Sequence, residues 1–358
     1  MRHALLEKVN RLVVKLGTGI LTNGQRQPDP AKMRQLVDQI AAQRRAGREV
    51  ILVSSGAVGA GMGALGLERR PGPLADLQAC AAVGQLQLMA AYDELFTAHR
   101  IHIGQVLLTH DDLRHHERHL NARHTLLALL ERGVVPIINE NDAVSYTELK
   151  FGDNDRLSAL VAALLPADLL VILTTPDGVL EHFGTGRERV VPLIEQIDDA
   201  TEALARGTTS ATAVGGMVTK LEAARIATRS GIPAVIASGR RAGVLERVVN
   251  GEEEGTLFVP SSAKLRSRKR WIAFFHHPGG ALIVDDGARA ALRHRGKSLL
   301  WPGIKRCEGR FQAGEVVRVC DLEGTEFARG IVAFSSDDLA AGQAVDREVI
   351  HRDNLVIL

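Results

Sequence analysis

The chain has 358 residues, 45% apolar and 24% charged, the composition of a folded soluble protein of two ordinary domains or one large domain with a smaller companion. Lys+Arg 44 against Asp+Glu 42 leaves a formal charge of +2, which singles out no polyanionic partner for the chain as a whole. No stretch approaches the ~20 apolar residues of a membrane span, residues 1–10 lack the apolar run of a secretory signal, and Cys80, Cys307 and Cys320 suit neither a disulfide framework nor a zinc site, so a reducing, cytoplasmic setting is expected.

Residues 11–16 (Arg-Leu-Val-Val-Lys-Leu) read as the first strand. Asp29 and Pro30 open a helix, Asp29 as its cap and Pro30 with φ pre-set for the first turn. Met33, Leu36, Val37, Ile40 and Ala41 then recur at helical spacing until Gly47 stops it. Residues 49–53 form the next strand, a glycine-rich loop is expected over 56–66, and 73–100 is a long Ala/Leu/Gln-rich helical stretch. Short apolar runs follow at 102–108, 134–138, 169–173 and 234–237, each separated by a helix-length segment. Apolar runs without strict alternation, interleaved with helices, indicate a largely parallel sheet covered on both faces, an α/β domain.

Near residue 260 the character changes. A basic run (Lys264, Arg266, Arg268, Lys269, Arg270) leads into Trp271, Phe274 and Phe275, and short β segments at 281–284, 315–320 and 324–334 follow, punctuated by glycines. The expected organisation is an α/β domain over 1–259, a linker over 260–272 and a small β-rich domain over 273–358.

Lys-Leu-Gly-Thr-Gly at 15–19 stands where the first strand ends, the place where open α/β sheets bind ligands and bare backbone N–H groups can cradle phosphate. Lys15 lies in the strand itself, where a cation is costly unless it points into a site. The plainer alternative is a turn glycine pair beside a surface lysine. After the second strand, residues 53–61 bring hydroxyls and amides to a helix start, which suits a carboxylate. Gly61, Gly63 and Gly66 match the dinucleotide pattern G-x-G-x-x-G, but they come well after the strand instead of in its turn, which argues against a nicotinamide site.

Ile-Ile-Asn-Glu-Asn-Asp at 137–142 follows another apolar strand, and Asp153, Asn154 and Asp155 open the next helix. A cap needs one such residue. The density here, with Asn141 and Asp142 close before, favours a site that orders amines, cationic side chains or a metal-nucleotide. Val-Gly-Gly-Met-Val-Thr-Lys at 214–220 is a third glycine loop leading into a helix over 221–229, with the amides, hydroxyl and lysine that a nucleotide phosphate wants. It is no Walker A motif, and Gly-Lys-Ser at 296–298 has Ala291 where that motif needs its first glycine. His-Arg-Asp at 351–353 imitates a protein-kinase catalytic loop without its metal-binding sequel. His115, His116, His119 and His124 cluster, but Arg114, Arg118 and Arg123 are interspersed, so a polar helix face is expected in place of a metal site.

With these pieces in order, the chain resembles the glutamate 5-kinase family, amino acid kinases in their long form with a C-terminal PUA domain. The likeness runs nearly end to end. It rests on Val-Val-Lys-Leu-Gly-Thr (13–18), Ser-Ser-Gly-Ala-Val (54–58), Asn-Ala-Arg (121–123), Ile-Asn-Glu-Asn-Asp-Ala-Val (138–144), Gly-Asp-Asn-Asp (152–155) and Gly-Gly-Met-Val-Thr-Lys (215–220). In the tail it rests on Arg-Lys-Arg-Trp-Ile (268–272) and Ser-Leu-Leu-Trp-Pro-Gly-Ile (298–304). The resemblance implies a three-layer αβα amino acid kinase fold on a largely parallel sheet, plus a small β-rich PUA barrel.

It also implies phosphorylation of the side-chain carboxylate of L-glutamate by MgATP, giving L-glutamyl 5-phosphate for proline biosynthesis. Lys15 and Lys220 would stabilise the transferring phosphoryl group and its leaving side, with Asp155 holding both lysines. Ser55, Asp142 and Asn154 would bind glutamate, Asp142 facing its α-ammonium. ATP would lie against Lys15, Gly17, Gly19, Thr174, Thr175, Val214, Gly215, Gly216, Met217, Val218, Thr219 and Lys220, with Gly17, Gly19 and Gly216 donating amides. Mg²⁺ is implied with the nucleotide, and no residue is assigned as a metal ligand. The substrate carboxylate is already ionised at neutral pH, so no general base is required. The family further implies a homo-oligomer (dimer or tetramer), proline as a feedback inhibitor in the glutamate pocket, and hand-off of the acyl phosphate to glutamate-5-semialdehyde dehydrogenase.

Two stretches depart from the family pattern, both on the nucleotide side. Thr174-Thr175 stands where Thr-Asp is usual, with Asp177 two residues on and no Asp-Pro-Arg in the loop 181–189, and Val214 stands where Thr usually precedes Gly-Gly-Met. Two rival functions come from other classes. Residues 264–310 carry twelve Lys/Arg against three Asp/Glu, a patch of the sort that attracts a phosphate backbone, so RNA binding by the tail is one. Residues 311–358 run four against nine, and an architectural or regulatory appendage is the expectation adopted. The other rival is a sister kinase acting on another acid or on carbamate.

Overall fold

A computed structural model of the chain describes residues 1–23, 27–144, 153–206, 216–261, 267–274, 278–342, 344 and 347–358. The chain divides into two units, Met1–Lys264 and Leu265–Leu358, a boundary inside the stretch expected as a linker.

The first unit opens with α1 (Arg2–Leu6), β1 (Arg11–Leu16) and the single turn α2 (Thr18–Leu21). α3 (Pro30–Arg45) begins as its sequence dictates: Asp29 accepts from Ala31 N and Lys32 N at 3.1 and 3.3 Å, and Met33, Leu36, Val37, Ile40 and Ala41 form the buried stripe. β2 (Glu49–Val53), α4 (Ala57–Ala64), the long α5 (Leu74–Thr97) and β3 (Ile103–Leu108) follow. Next come α6 (His110–Arg114), α7 (His116–Glu131), β4 (Val135–Glu140), α8 (Asp153–Leu164) and β5 (Leu169–Thr174). A hairpin of β6 (Leu180–Glu181) and β7 (Arg189–Val190) precedes β8 (Leu193–Ile194) and α9 (Asp199–Arg206). α10 (Met217–Arg229), β9 (Ala234–Ser238), α11 (Val244–Val249) and β10 (Thr256–Phe258) complete the unit.

Eight strands form one sheet in the order β3-β4-β2-β1-β5-β9-β10-β8. The first six in that order run parallel, and β10 is antiparallel to β9. From β1 the chain builds to one side through β2, β3 and β4, then continues on the other side with β5 and β9. The topological switch therefore falls between β1 and β5. Side chains alternate along each strand. Leu12, Val14 and Leu16 join the core with Leu6, Leu36, Tyr92 and Val248 of α1, α3, α5 and α11. Val13 and Lys15 face the opposite side, where α8 packs on β1 and β5, and α10 packs on α8 and β9.

Two local expectations are corrected. The glycine-rich stretch 56–66 is helix α4 as far as Ala64. A Cβ on Gly61 would stand 1.8 Å from Cys80 O, and one on Gly84 would stand 1.8 Å from Ala57 O. These glycines let α4 and α5 meet backbone to backbone; Gly61 of the G-x-G-x-x-G match is a packing residue. The second correction is that α10 begins at Met217, not near 221, so Met217, Val218, Thr219 and Lys220 lie in its first turn.

The second unit starts with α12 (Ser267–Phe274), helix where linker was expected; Arg329 Nη1 donates to Ala273 O near its end at 2.8 Å. It continues with β11 (Gly280–Val284), α13 (Asp286–Arg295), β12 (Leu299–Leu300), β13 (Ile304–Gly309), β14 (Val316–Cys320) and β15 (Glu326–Ile331). α14 (Ser336–Ala340), β16 (Glu348–Ile350) and β17 (Leu355–Ile357) end it. A five-stranded sheet, β13-β11-β14-β15-β17, and the pair β12-β16 share a separate core that includes Leu282, Phe311, Val317, Phe327 and Ile350. Among the described residues no helix is long and apolar enough to cross a membrane.

Candidate active site

The strands that flank the switch point end on one rim. Lys15 is in register with Val53 and Ile172, Leu16 with Leu173, and Thr174 with Ser238, so the segments after β1, β2, β5 and β9 emerge together. Lys15 Nζ lies 2.7 Å from Asp155 Oδ1, and Lys220 Nζ donates to Asp155 Oδ2 at 3.1 Å. Thr219 Oγ1 donates to the same Oδ2 at 2.7 Å. The side chains of Lys15, Asp155 and Lys220 are only 6%, 1% and 5% exposed.

Burial alone would raise the Asp155 carboxyl. The charges of Lys15 and Lys220, with hydrogen bonds from Lys15 and Thr219, outweigh it and hold the group below the ordinary carboxylate range. Burial pushes the Lys220 ammonium below the ordinary lysine value, Asp155 pulling against it and the like charge of Lys15 adding to it. Two cations on one anion leave a positive surplus. α8 and α10 also both begin here, so two helix N-termini add to the same field. A positive surplus of this kind suits an anionic group.

Beside it lies a chain of amides. Gly56, with φ +103°, turns the backbone from β2 into α4 and leaves Ser55 at the rim. Asn154 Nδ2 donates to Ser55 Oγ and to Asn139 Oδ1, each at 3.1 Å. Asn139 Nδ2 in turn donates to Gln85 Oε1 at 2.9 Å. Asn154 Oδ1 is buried with no hydrogen-bond partner among the described residues. Behind Ser55, Ser54 Oγ shares a 2.8 Å hydrogen bond with the Tyr92 hydroxyl, whose pKa burial drives up. Asp142 lines a neighbouring cavity of about 350 Å³ with Gln85, Gln105, Glu140 and Asn141. Asn139 stands in the 137–142 motif with no role assigned to it there, and Gln85 lies outside every motif; both belong to this chain of amides.

On the nucleotide side one expectation changes. Gly17 N donates to Leu173 O at 3.0 Å, so its amide extends the β1–β5 ladder and is not offered to a ligand. What Gly17 allows is the close approach of the two strands: a Cβ there would come 3.3 Å from Leu173 O, a backbone atom. Gly19 lies in the first turn of α2, where a Cβ would stand 2.8 Å from Thr175 Cγ2. Thr174 is buried and Thr175 opens a cavity of about 500 Å³ lined also by Asp177, Ser238, Arg240 and Arg241. Arg241 donates to Asp177 at 3.0 Å and to Glu254 at 3.2 Å. Gly216 caps α10, Met217 is buried and Val218 is exposed, while Val214 and Gly215 lie outside the described residues. His115 and His119 set ring nitrogens 2.9 and 3.2 Å from the carbonyls of Asp111 and Leu113. Among the described residues no group of three or more His, Cys, Asp or Glu is arranged to hold a metal ion.

The model of the amino acid kinase family matches residues 10–238. The chain belongs to the amino acid kinase family. This amino acid kinase also matches the PUA domain over residues 280–350. It is 48% identical to the glutamate 5-kinase of Geobacter sulfurreducens over 373 aligned positions, covering 100% of both chains. It is 45% identical to that of Methylococcus capsulatus, covering 97% of each. Among solved structures it is similar to carbamate kinase from Giardia lamblia bound to AMP-PNP, with a TM-score of 0.51 at 20% identity over 71% of this chain and 99% of that one. At that identity the likeness is one of fold.

Proposed function

We propose that this amino acid kinase transfers the γ-phosphoryl group of ATP to the side-chain carboxylate of L-glutamate, the first step of proline biosynthesis. The observation that carries it is the buried Lys15–Asp155–Lys220 cluster at the switch point, next to an amide-rich acid site. One oxygen of the ionised γ-carboxylate attacks the γ-phosphorus, the bond from phosphorus to the bridging oxygen breaks, and ADP leaves with that electron pair. Such a transfer asks for positioning and charge neutralisation, with little covalent work by the protein. Lys15 and Lys220 meet the charge that spreads over the phosphoryl oxygens and the leaving oxygen. Asp155 fixes both ammonium groups and keeps them apart. Ser55, Asn154 and Asp142 hold glutamate, Asp142 through the α-ammonium.

ATP fits along the rim from Lys15, Gly19 and Gly216 to Thr174, Thr175 and the neighbouring cavity. Mg²⁺ would supply charge neutralisation on the nucleotide's phosphates; Asp155, committed to two lysines and a hydroxyl, would not be its ligand. A homo-oligomer, proline as a competitor for the glutamate pocket, hand-off to glutamate-5-semialdehyde dehydrogenase and a regulatory tail belong to the same proposal.

Hydroxylamine trapping tests it. With ATP and Mg²⁺ the protein should form hydroxamate from L-glutamate and not from aspartate, acetylglutamate or no acid. Lys15→Ala or Lys220→Ala should lower that rate by on the order of 10²-fold or more. No hydroxamate from any acid would sink the proposal.

A further inference from the structure

Asn139 has a fixed polarity. Its Oδ1 lies 3.0 Å from Glu140 N, a group that can only donate, so the atom there is the oxygen and the other end of the amide is the NH₂. That NH₂ reaches Gln85 at 2.9 Å, which must therefore turn Oε1 toward it. Gln85 Nε2 is left facing away, buried, with no hydrogen-bond partner among the described residues. Gln85 is 9% exposed and stands on α5 in the wall of the cavity that Asp142, Glu140 and Asn141 also line. A buried N–H without an acceptor is costly and calls for something that meets it.

We propose that Gln85 is a specificity-determining residue for the amino acid: its Nε2 donates to the α-carboxylate of glutamate while Asp142 takes the α-ammonium. The inference rests on the glutamate kinase proposal. With the amino acid head held in this cavity, the side chain runs toward Ser55, Asn154 and the lysine pair. Asn139 is a positioning residue, one step removed from the substrate, because it decides which end of the Gln85 amide faces the cavity. The backbone N–H of Glu140 sets the sense of the whole chain, from Gln85 through Asn139 to Asn154.

Two substitutions reverse the polarity at that point by different routes. Gln85→Glu keeps an oxygen for Asn139 Nδ2 and puts a second oxygen, with negative charge, where the donor stood. Asn139→Asp still accepts from Glu140 N and Asn154 Nδ2, but it offers Gln85 an oxygen in place of the NH₂. Gln85 then turns over and presents Oε1 to the cavity.

Steady-state ADP release from the full-length protein, with glutamate and ATP varied in turn, reads the outcome beside a melting curve. Both variants should raise KM for glutamate by about tenfold or more. KM for ATP should stay within about twofold, and Gln85→Glu should melt close to the parent protein. If Gln85 only props Asn139, Gln85→Glu leaves KM for glutamate unchanged and the proposal is overturned. Should Gln85→Glu fail to fold, Asn139→Asp decides by the same criterion. A parent protein that makes no hydroxamate from glutamate overturns the kinase proposal itself; an active parent with a silent Gln85→Glu overturns this inference alone.

Discussion

Lys220 carries two opposed demands at one atom. In the proposed transfer its charge is needed, while burial works against that charge and holds the ammonium below the ordinary lysine range. The folded chain therefore releases this proton before the unfolded chain does, whose lysines titrate near ~10.4. Raising the pH through that window stabilises the fold while it removes a charge the reaction uses. Asp155 acts at the other end of the scale. Its carboxyl is held low, so the stability it contributes is present above the unfolded value near ~3.9 and is lost as pH falls through the lower folded value. The expected outcome is an alkaline fall in kcat that begins below the ordinary lysine range while the melting temperature does not fall in step. Measuring both on the same samples between about pH 7 and about pH 10 checks it, and a parallel decline would mean that the limb reports unfolding. Lys15, Asp155 and Lys220 were legible because a lysine in an apolar strand and a run of acids at a helix start both demand a partner. Gln85 was not, although it left a trace: it interrupts the buried stripe Leu77, Ala81, Leu88 and Tyr92 of α5. A polar residue on an apolar stripe reads as a tolerated core amide until the neighbour that fixes its orientation is seen.

Elements carry the site as much as residues do. α4 and α5 approach so closely that Ala57, Gly61, Cys80 and Gly84 meet through backbone atoms, and Ser54 and Ser55 enter that same junction from β2. A methyl group on Gly84 would meet Ala57 O at 1.8 Å and Gly61 N at 2.3 Å, atoms that cannot rotate away as a side chain tip can. Gly84→Ala should therefore force the helices apart, with a cost of about 3 kcal/mol at the upper end of ordinary overpacking. It should also raise KM for glutamate, because α4 begins two residues after Ser55. Denaturant unfolding with the kinetics at saturating ATP checks both, and a variant of parental stability would show that the helices have slack. The long helices were legible because a buried face repeats at helical period, and the six parallel strands because they are short apolar runs; the short β6, β7, β8 and β10 carry no such signal. α4 was read as a loop because five glycines in the eleven residues 56–66 look locally like a loop. Only the partner helix, distant in sequence until the fold forms, explains why glycine is needed there.

The two units differ in what their sequences could tell. In the first, three of the six spaced motifs (13–18, 54–58 and 138–144) lie at the ends of β1, β2 and β4, and two more (152–155 and 215–220) run into α8 and α10, so the candidate site was readable as soon as the chain was known to be α/β; the sixth, 121–123, lies within α7. In the second, the hydrophobic pattern marks β structure, but the charge does not point one way, and nothing in it names a ligand. Each unit has its own core: Leu12, Val14 and Leu36 belong to one, and Leu282, Phe311 and Phe327 to the other. Ser261 N still bonds Thr228 O at 2.9 Å, and the Arg2 guanidinium bonds Glu254 O, so the first unit is tied together up to its last described residue. A chain ending at Ser261 should accordingly fold and keep glutamate-dependent hydroxamate formation within about threefold of the full chain, as domains with separate cores commonly do. Loss of the reaction in a folded truncated chain would make the tail part of the catalytic apparatus. Retention of the reaction, together with salt-sensitive RNA binding that vanishes on truncation, would give the tail a second activity independent of the kinase.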